Sequence, residues 1–251
     1  MTETAILSAR NLIKEFSGFR AVDDVSIDVR EGAVHALIGP NGAGKTTCFN
    51  LLTKFLTPTS GAIYYRGRDI TGMQPADIAR LGIVRSFQIS AVFPHLTAME
   101  NVRIALQRRR GDSFDFWRSE RVLSEYDDQA RALLDSVGLL VFGDTAAAEL
   151  SYGRKRALEI ATTLALEPDM LLLDEPMAGM TPEDIERISA LIRRIARDRT
   201  VLMVEHNLSV VANLSDIITV LARGKVLAEG DYATVSKDPN VIEAYIGVGH
   251  D

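Results

Sequence analysis

Apolar residues fall along this chain in two rhythms, short continuous blocks and longer runs that recur every three to four positions, and their alternation predicts a layered α/β protein. Near the start, Ile6 to Ala9 and Ser26 to Val29 read as short β-runs between turns. The block Val34-His35-Ala36-Leu37-Ile38 follows, and the three together predict a small antiparallel sheet. A helix is expected from Lys45 to about Phe55, closed by the turn Pro58-Thr59-Ser60-Gly61, after which Ala62-Ile63-Tyr64-Tyr65 resumes strand. From about Thr97 to Leu140 the period becomes helical, with Met99, Val102, Ile104 and Leu106 in one segment and Val122, Leu123, Ala130, Leu133, Leu134 and Val137 in another. Between them, Arg108 to Ser113 reads as an exposed, solvated turn. From Ser151 the α/β alternation returns: a helix to about Leu166, the strand Met170 to Leu173, a helix from Pro182 to Arg197 and the strand Thr200 to Val204. That order predicts a buried parallel sheet with crossover helices. Ile217 to Leu221 and Lys225 to Ala228 then flank Ala222-Arg223-Gly224 as a hairpin. No internal repeat or low-complexity tract interrupts the pattern.

Composition narrows the picture modestly. A chain of 251 residues that is 47% hydrophobic can bury a core of one large domain. A net charge of −6 and a pI near 5.3 argue against a dedicated nucleic-acid binder. One cysteine, Cys48, excludes an internal disulfide and reads as a small apolar residue on the first helix. Neither a signal-type apolar stretch nor a run long enough to span a bilayer is present, so a cytoplasmic protein is expected, reaching a membrane only by docking on something embedded there.

The candidate chemistry begins where the block Val34 to Ile38 ends. Gly39-Pro40-Asn41-Gly42-Ala43-Gly44-Lys45-Thr46-Thr47 is a phosphate-binding loop between a strand and a helix: its glycines let successive N–H groups face phosphate, Lys45 adds a point charge, and the Thr46 hydroxyl can ligate Mg²⁺. Leu171-Leu172-Leu173-Asp174-Glu175 delivers two acids to the carboxyl end of a strand, the edge where α/β sheets bind ligands. Neighbours on a strand point in opposite directions, so Asp174 is expected to hold Mg²⁺ and Glu175 to orient or deprotonate an attacking water. Glu205-His206-Asn207 ends the strand Thr200 to Val204 on the same edge, where His206 could reach the outer phosphate or serve as a hydrogen-bonded structural residue. Ser151, a natural N-cap, opens a helix with Tyr152 and Gly153 and reads either as a second anion site or as an ordinary capped helix.

In this order, the phosphate loop, Gln88, Leu150-Ser151-Tyr152-Gly153, Leu171 to Glu175 and His206 resemble the Walker A, Q-loop, signature, Walker B and switch-histidine series of ABC-transporter ATPase subunits. The likeness spans nearly the whole chain. It implies an α/β fold with a P-loop NTPase core, mostly parallel sheet with flanking helices, an N-terminal antiparallel β subdomain and an inserted α-helical subdomain. It also implies one ATPase domain over residues 1–251, with the nucleotide core in 1–90 and 160–251 and a helical, signature-bearing part in 91–159. ATP and Mg²⁺ are the implied cofactors. Phe16 would stack on adenine, Gln88 would touch Mg²⁺ and sense a membrane partner, and Ser151 and Gly153 would meet ATP held by a second ATPase subunit in a head-to-tail dimer, identical or not. Within the family, Arg85-Ser86-Phe87-Gln88, Arg156 to Ala161 and Asn240 to Gly247 are most similar to ATP-binding subunits of branched-chain amino acid importers. That branch implies integral-membrane permeases as partners, an extracytoplasmic solute-binding protein acting indirectly, no nucleic acid, and a place on the inner face of the cell membrane. It also likens Phe114, Phe116 and Trp117 to a branch-specific helical insertion. An ATPase of a lipid or lipopolysaccharide exporter and a soluble non-transport ABC ATPase are the alternatives. The sequence departs from the family at Tyr152, where glycine is general, at Arg154-Lys155, where glutamine is usual, and at Thr181, where aspartate or asparagine is usual; Thr181 keeps a hydroxyl but loses the carboxylate, so no detailed D-loop role is expected of it.

Overall fold

A computed structural model describes residues 5–86, 92–110 and 126–246. In chain order its elements are β1 (Ala5–Phe16), β2 (Phe19–Arg30), β3 (Val34–Ile38), α1 (Lys45–Leu52), β4 (Ser60–Tyr65), β5 (Arg68–Asp69), α2 (Pro75–Arg80), β6 (Ile83–Ser86) and α3 (Ala98–Arg110). The second half adds α4 (Asp127–Ser136), α5 (Tyr152–Leu164), β7 (Met170–Asp174), α6 (Pro182–Ile195), β8 (Thr200–Val204), α7 (Leu208–Leu214), β9 (Ile217–Ala222), β10 (Lys225–Gly230), α8 (Tyr232–Val235) and α9 (Pro239–Ile246).

The strands form two sheets. One is four-stranded and antiparallel, in the order β2-β1-β4-β5; the other is six-stranded, in the order β10-β9-β3-β8-β7-β6, parallel except where β10 pairs β9. The expectation that Val34 to Ile38 shares the small antiparallel sheet is therefore wrong. Every residue of β3 is buried, as only an inner strand covered on both faces requires, and β3 lies between β8 and β9. β1 and β2 also run far beyond Ile6–Ala9 and Ser26–Val29. Asn11 and Asp24 adopt positive φ at bulges in their pairing, and these breaks hide the two-residue alternation. Arg108 to Arg110, expected in a turn, continue helix α3 instead; Gly111 to Ser113, Phe114, Phe116 and Trp117 lie outside the described residues.

Side-chain alternation sorts the large sheet into two cores. Ala36, Leu171, Leu173, Val201 and Met203 face helices α3 to α7, whereas Leu37, Met170, Leu172, Leu202 and Val204 face α1 and the antiparallel sheet. Helix α1 is thus sandwiched between the sheets. Cys48 on it is fully buried, and burial pushes its thiol up to about 12, consistent with a small apolar filler. Among the described residues no helix is long and apolar enough to cross a membrane.

Candidate functional site

Three neighbouring strands of the parallel sheet end on one edge. Leu37 pairs with Val204, and Val204 pairs with Asp174, so the residues that follow β3, β8 and β7 emerge side by side. The ladder continues one step further: the Glu205 N–H donates to the Leu37 carbonyl (3.4 Å) and the Glu175 N–H to the Val204 carbonyl (2.9 Å). The phosphate loop, Asp174-Glu175 and His206 thus share the carboxyl edge that the sequence predicts.

The loop Gly39 to Thr47 is shaped by close backbone approaches. Gly39 (φ 151°) lies against the Leu221 carbonyl oxygen and Gly44 (φ 96°) against that of Ala21, so a side chain at either would collide with main chain. The turn between β9 and β10 completes the brace: the Gly224 N–H donates to the Ala43 carbonyl (3.0 Å), and the Gly224 carbonyl accepts from the Asp23 N–H (2.8 Å). Pro40, Asn41 and Gly42 form the crown of the loop, and Thr46 and Thr47 lie in the first turn of α1. Lys45 folds back, its ammonium donating to the carbonyls of Gly39 (2.7 Å) and Pro40 (3.0 Å). Burial lowers its pKa, while the nearby Glu175 carboxylate acts in the opposite direction.

Asp174 is buried and tied to a residue that sequence reasoning left without a role. Arg85 on β6 donates Nη2 to Asp174 Oδ2 (2.6 Å) and Nη1 to Asn50 Oδ1 (2.6 Å) on α1. Its guanidinium carbon stands 4.8 Å from the ring centre of Phe49 and 5.2 Å from that of Phe55. Arg156, one turn into α5, reaches the Asp174 carbonyl (3.2 Å) and pairs with Glu159 (2.8 Å). Glu175 is a non-glycine residue at φ 43°, a conformation held against its intrinsic preference at the strand end. His206 is exposed, and Asn207 beside it caps α7 by accepting from Ser209 N–H (3.1 Å) and Val210 N–H (3.3 Å).

Other candidates lie apart from this edge. Phe16 is 43% exposed at the end of the β1–β2 hairpin, paired across it with Phe19, and Lys14 Nζ stands 5.1 Å from its ring centre. It is no core aromatic. Gln88 lies outside the described residues. Ser151 occupies the N-cap position of α5, but its hydroxyl does not cap the helix, contrary to expectation, and it forms no hydrogen bond among the described residues. Gly153 is pressed against the Asp184 carboxylate, which a Cβ would overlap. Thr181 caps α6: its Oγ1 accepts from the Asp184 N–H (3.3 Å) and donates to Asp184 Oδ2 (3.2 Å). The spacing of Thr181 and Asp184 carries that signal in the sequence.

These residues suit a triphosphate with Mg²⁺. The Asp174 carboxylate and Thr46 hydroxyl are oxygen donors of the hard type Mg²⁺ prefers, and among the described residues no group of three or more His, Cys, Asp or Glu could hold a metal alone. An ion held largely by phosphate and water needs no such group.

Known proteins share this sequence pattern and fold. The profile of the ABC transporter family matches residues 22–178, and that of the branched-chain amino acid ATP-binding cassette transporter matches residues 225–251. The high-affinity branched-chain amino acid transport ATP-binding protein BraF of Pseudomonas aeruginosa is 40% identical, over 96% of this chain and 98% of that protein. The ADP conformation of MJ1267, an ATP-binding cassette of an ABC transporter, superposes with a TM-score of 0.86 at 34% identity, covering 97% of this chain and 99% of that one. The dimeric post-hydrolysis structure of the ATP-binding cassette MJ0796, bound to ADP and Pi, gives 0.74 at 25% identity over 90% of this chain and 98% of that one.

Proposed function

This chain belongs to the ABC transporter family of ATP-hydrolysing cassettes, and from that premise we propose that it energises import of branched-chain amino acids or related small organic solutes. The observation that carries the reading is 40% identity to an amino acid transport ATP-binding protein along 96% of the chain, the phosphate edge included. In this reading the protein works as a dimer, identical or mixed, on the inner side of integral-membrane permeases, and a solute-binding protein outside supplies the solute. The cassette spans 1–251, its nucleotide core formed by 1–90 and 160–251 and its helical part by 91–159.

Residue roles follow from position and chemistry. The loop N–H groups and Lys45 bind the phosphates, Phe16 offers an exposed ring to adenine, and Thr46, Asp174 and Gln88 would hold Mg²⁺, which when bound supplies charge neutralisation on the phosphates. Glu175 orients the attacking water and takes its proton, and His206 acts beside it at the outer phosphate. Ser151 and Gly153, with an uncapped helix end, serve ATP held by the opposite subunit. The dimeric assembly of the MJ0796 cassette supports this arrangement. Glu175→Gln should leave ATP binding intact and cut turnover by about 10² or more, the scale of a positioned general base. Near-wild-type ATPase in that variant would remove Glu175 from its role. The solute is tested by co-reconstitution with the permeases: leucine, isoleucine or valine should stimulate ATPase, and stimulation by lipid alone would favour an exporter.

A further inference from the structure

We propose that Glu205 is a positioning residue that locks the loop bearing Glu175 and the loop bearing His206 into one unit; the inference rests on the catalytic reading of those two residues given above. Glu205 is 0% exposed at the end of β8, the strand between the phosphate-loop strand β3 and the acid-bearing strand β7. Its two carboxylate oxygens divide their work. Oε1 accepts from the Met177 N–H (3.1 Å), two residues beyond Glu175, while Oε2 accepts from the N–H groups of His206 (3.0 Å) and Asn207 (3.3 Å).

Among the described residues Glu205 forms no ion pair with Lys, Arg or His, so three backbone N–H groups answer its charge. A buried carboxylate is a costly way to fill space, and an apolar side chain of similar volume would serve the packing as well. Only an acceptor with two separated oxygens joins both loops. Withdrawal of Met177 from β8 would leave Oε1 buried without a donor, and withdrawal of the histidine turn would do the same to Oε2, so neither loop moves alone without a penalty. Three further features make the coupling matter. Glu175 sits in a disfavoured backbone conformation, the turn bearing His206 is tied by this carboxylate and by the Asn207 cap, and both must face one phosphate within a fraction of an ångström.

Glu205→Gln keeps the shape but replaces one acceptor oxygen by an NH₂ group, so one loop loses its anchor. The expected result is a fall in kcat of about tenfold or more with KM for ATP changed less than about twofold, because no Glu205 contact reaches Lys45 or the loop glycines. Glu205→Asp, charged but a methylene shorter, should not rescue kcat. In a His206→Ala background Glu205→Gln should add a smaller loss than in the wild type, because only the Glu175 side of the lock is left to lose. Wild-type kcat in Glu205→Gln, a KM that rises as much as kcat falls, or an undiminished additional loss in the His206→Ala background would each overturn the proposal. If Glu205→Gln does not fold, the wild-type protein decides: amide exchange at Met177, His206 and Asn207 should show one common protection factor, and values differing by more than about tenfold would refute the lock. Should His206→Ala alone retain full turnover, the catalytic reading of the histidine fails, and the exchange measurement still judges the lock by itself.

Discussion

The phosphate edge and the start of α5 are both built to meet anions, yet they are finished to different degrees. At the edge, nearly every functional group already has a partner in its own chain: Lys45 holds two carbonyls, Asp174 holds Arg85, and Gly224 holds Ala43. At α5, the Ser151 hydroxyl has none among the described residues, Tyr152 is 57% exposed, and only Gly153 is packed, against Asp184. The first is a socket stitched from within; the second is a surface that makes sense when something outside the chain arrives. Damage to the first should unfold the protein, and damage to the second should only disconnect it.

The contrast is tested most severely at Arg85. Arg85→Ala strands the buried Asp174 carboxylate and removes the ties to Asn50, and a loss of about 3 kcal/mol is expected, read by denaturant midpoint at constant m-value. A loss below about 1 kcal/mol would mean the edge is less tightly stitched than its geometry says. A somewhat smaller effect is expected from acid. His35 is buried in β3, its Nε2 bonded to Thr219 Oγ1 (2.7 Å), which in turn donates to Glu229 (2.6 Å). Burial, with some help from Arg30, lowers its pKa from 6.5 to about 4. The unfolded chain therefore binds the extra proton first. Stability from neutral His35 is complete above pH 6.5 and is lost as pH falls through about 4, with up to roughly 3 kcal/mol at stake. His35→Gln, which keeps a donor for Thr219 and does not titrate, should flatten the decline in Tm between pH 7 and pH 4.5; an unchanged slope would clear His35 of that role. The smallest stability effect belongs to α5. Ser151→Arg should shift stability by no more than about 0.5 kcal/mol, as at other exposed positions, while abolishing ATP-dependent dimerisation in sedimentation. A strongly destabilised Ser151→Arg, or one that still dimerises, would erase the distinction between the two regions.

The inner strands were legible because full burial on both faces writes a continuous apolar block: Thr200 to Val204 matches β8 residue for residue, and β7 adds only Asp174. The chemistry at their ends was legible for the same reason, since polar groups following such a block must emerge at the sheet edge. What sequence could not display was long-range pairing. Arg85 lies in a four-residue strand too short and too polar to announce itself, and its partner Asp174 is 89 positions away. Likewise nothing local links Gly153 to Asp184. Glu205 was visible as an acid after an apolar strand, but its burial, and hence its work inside the fold, depends on Met177 folding across it. The cap at Thr181 is local and therefore legible: Asp184 three residues on marks a helix start.

The two-residue turn Arg223-Gly224 has a further consequence for anyone re-engineering this chain. Tight turns between hairpin strands are ordinarily the safest points at which to cut, lengthen or circularly permute a protein. Here the main chain of Gly224 is the rivet between the nucleotide cradle and the outer sheet, so new termini or an inserted residue at that corner should loosen the grip on phosphate without altering a single side chain that touches it.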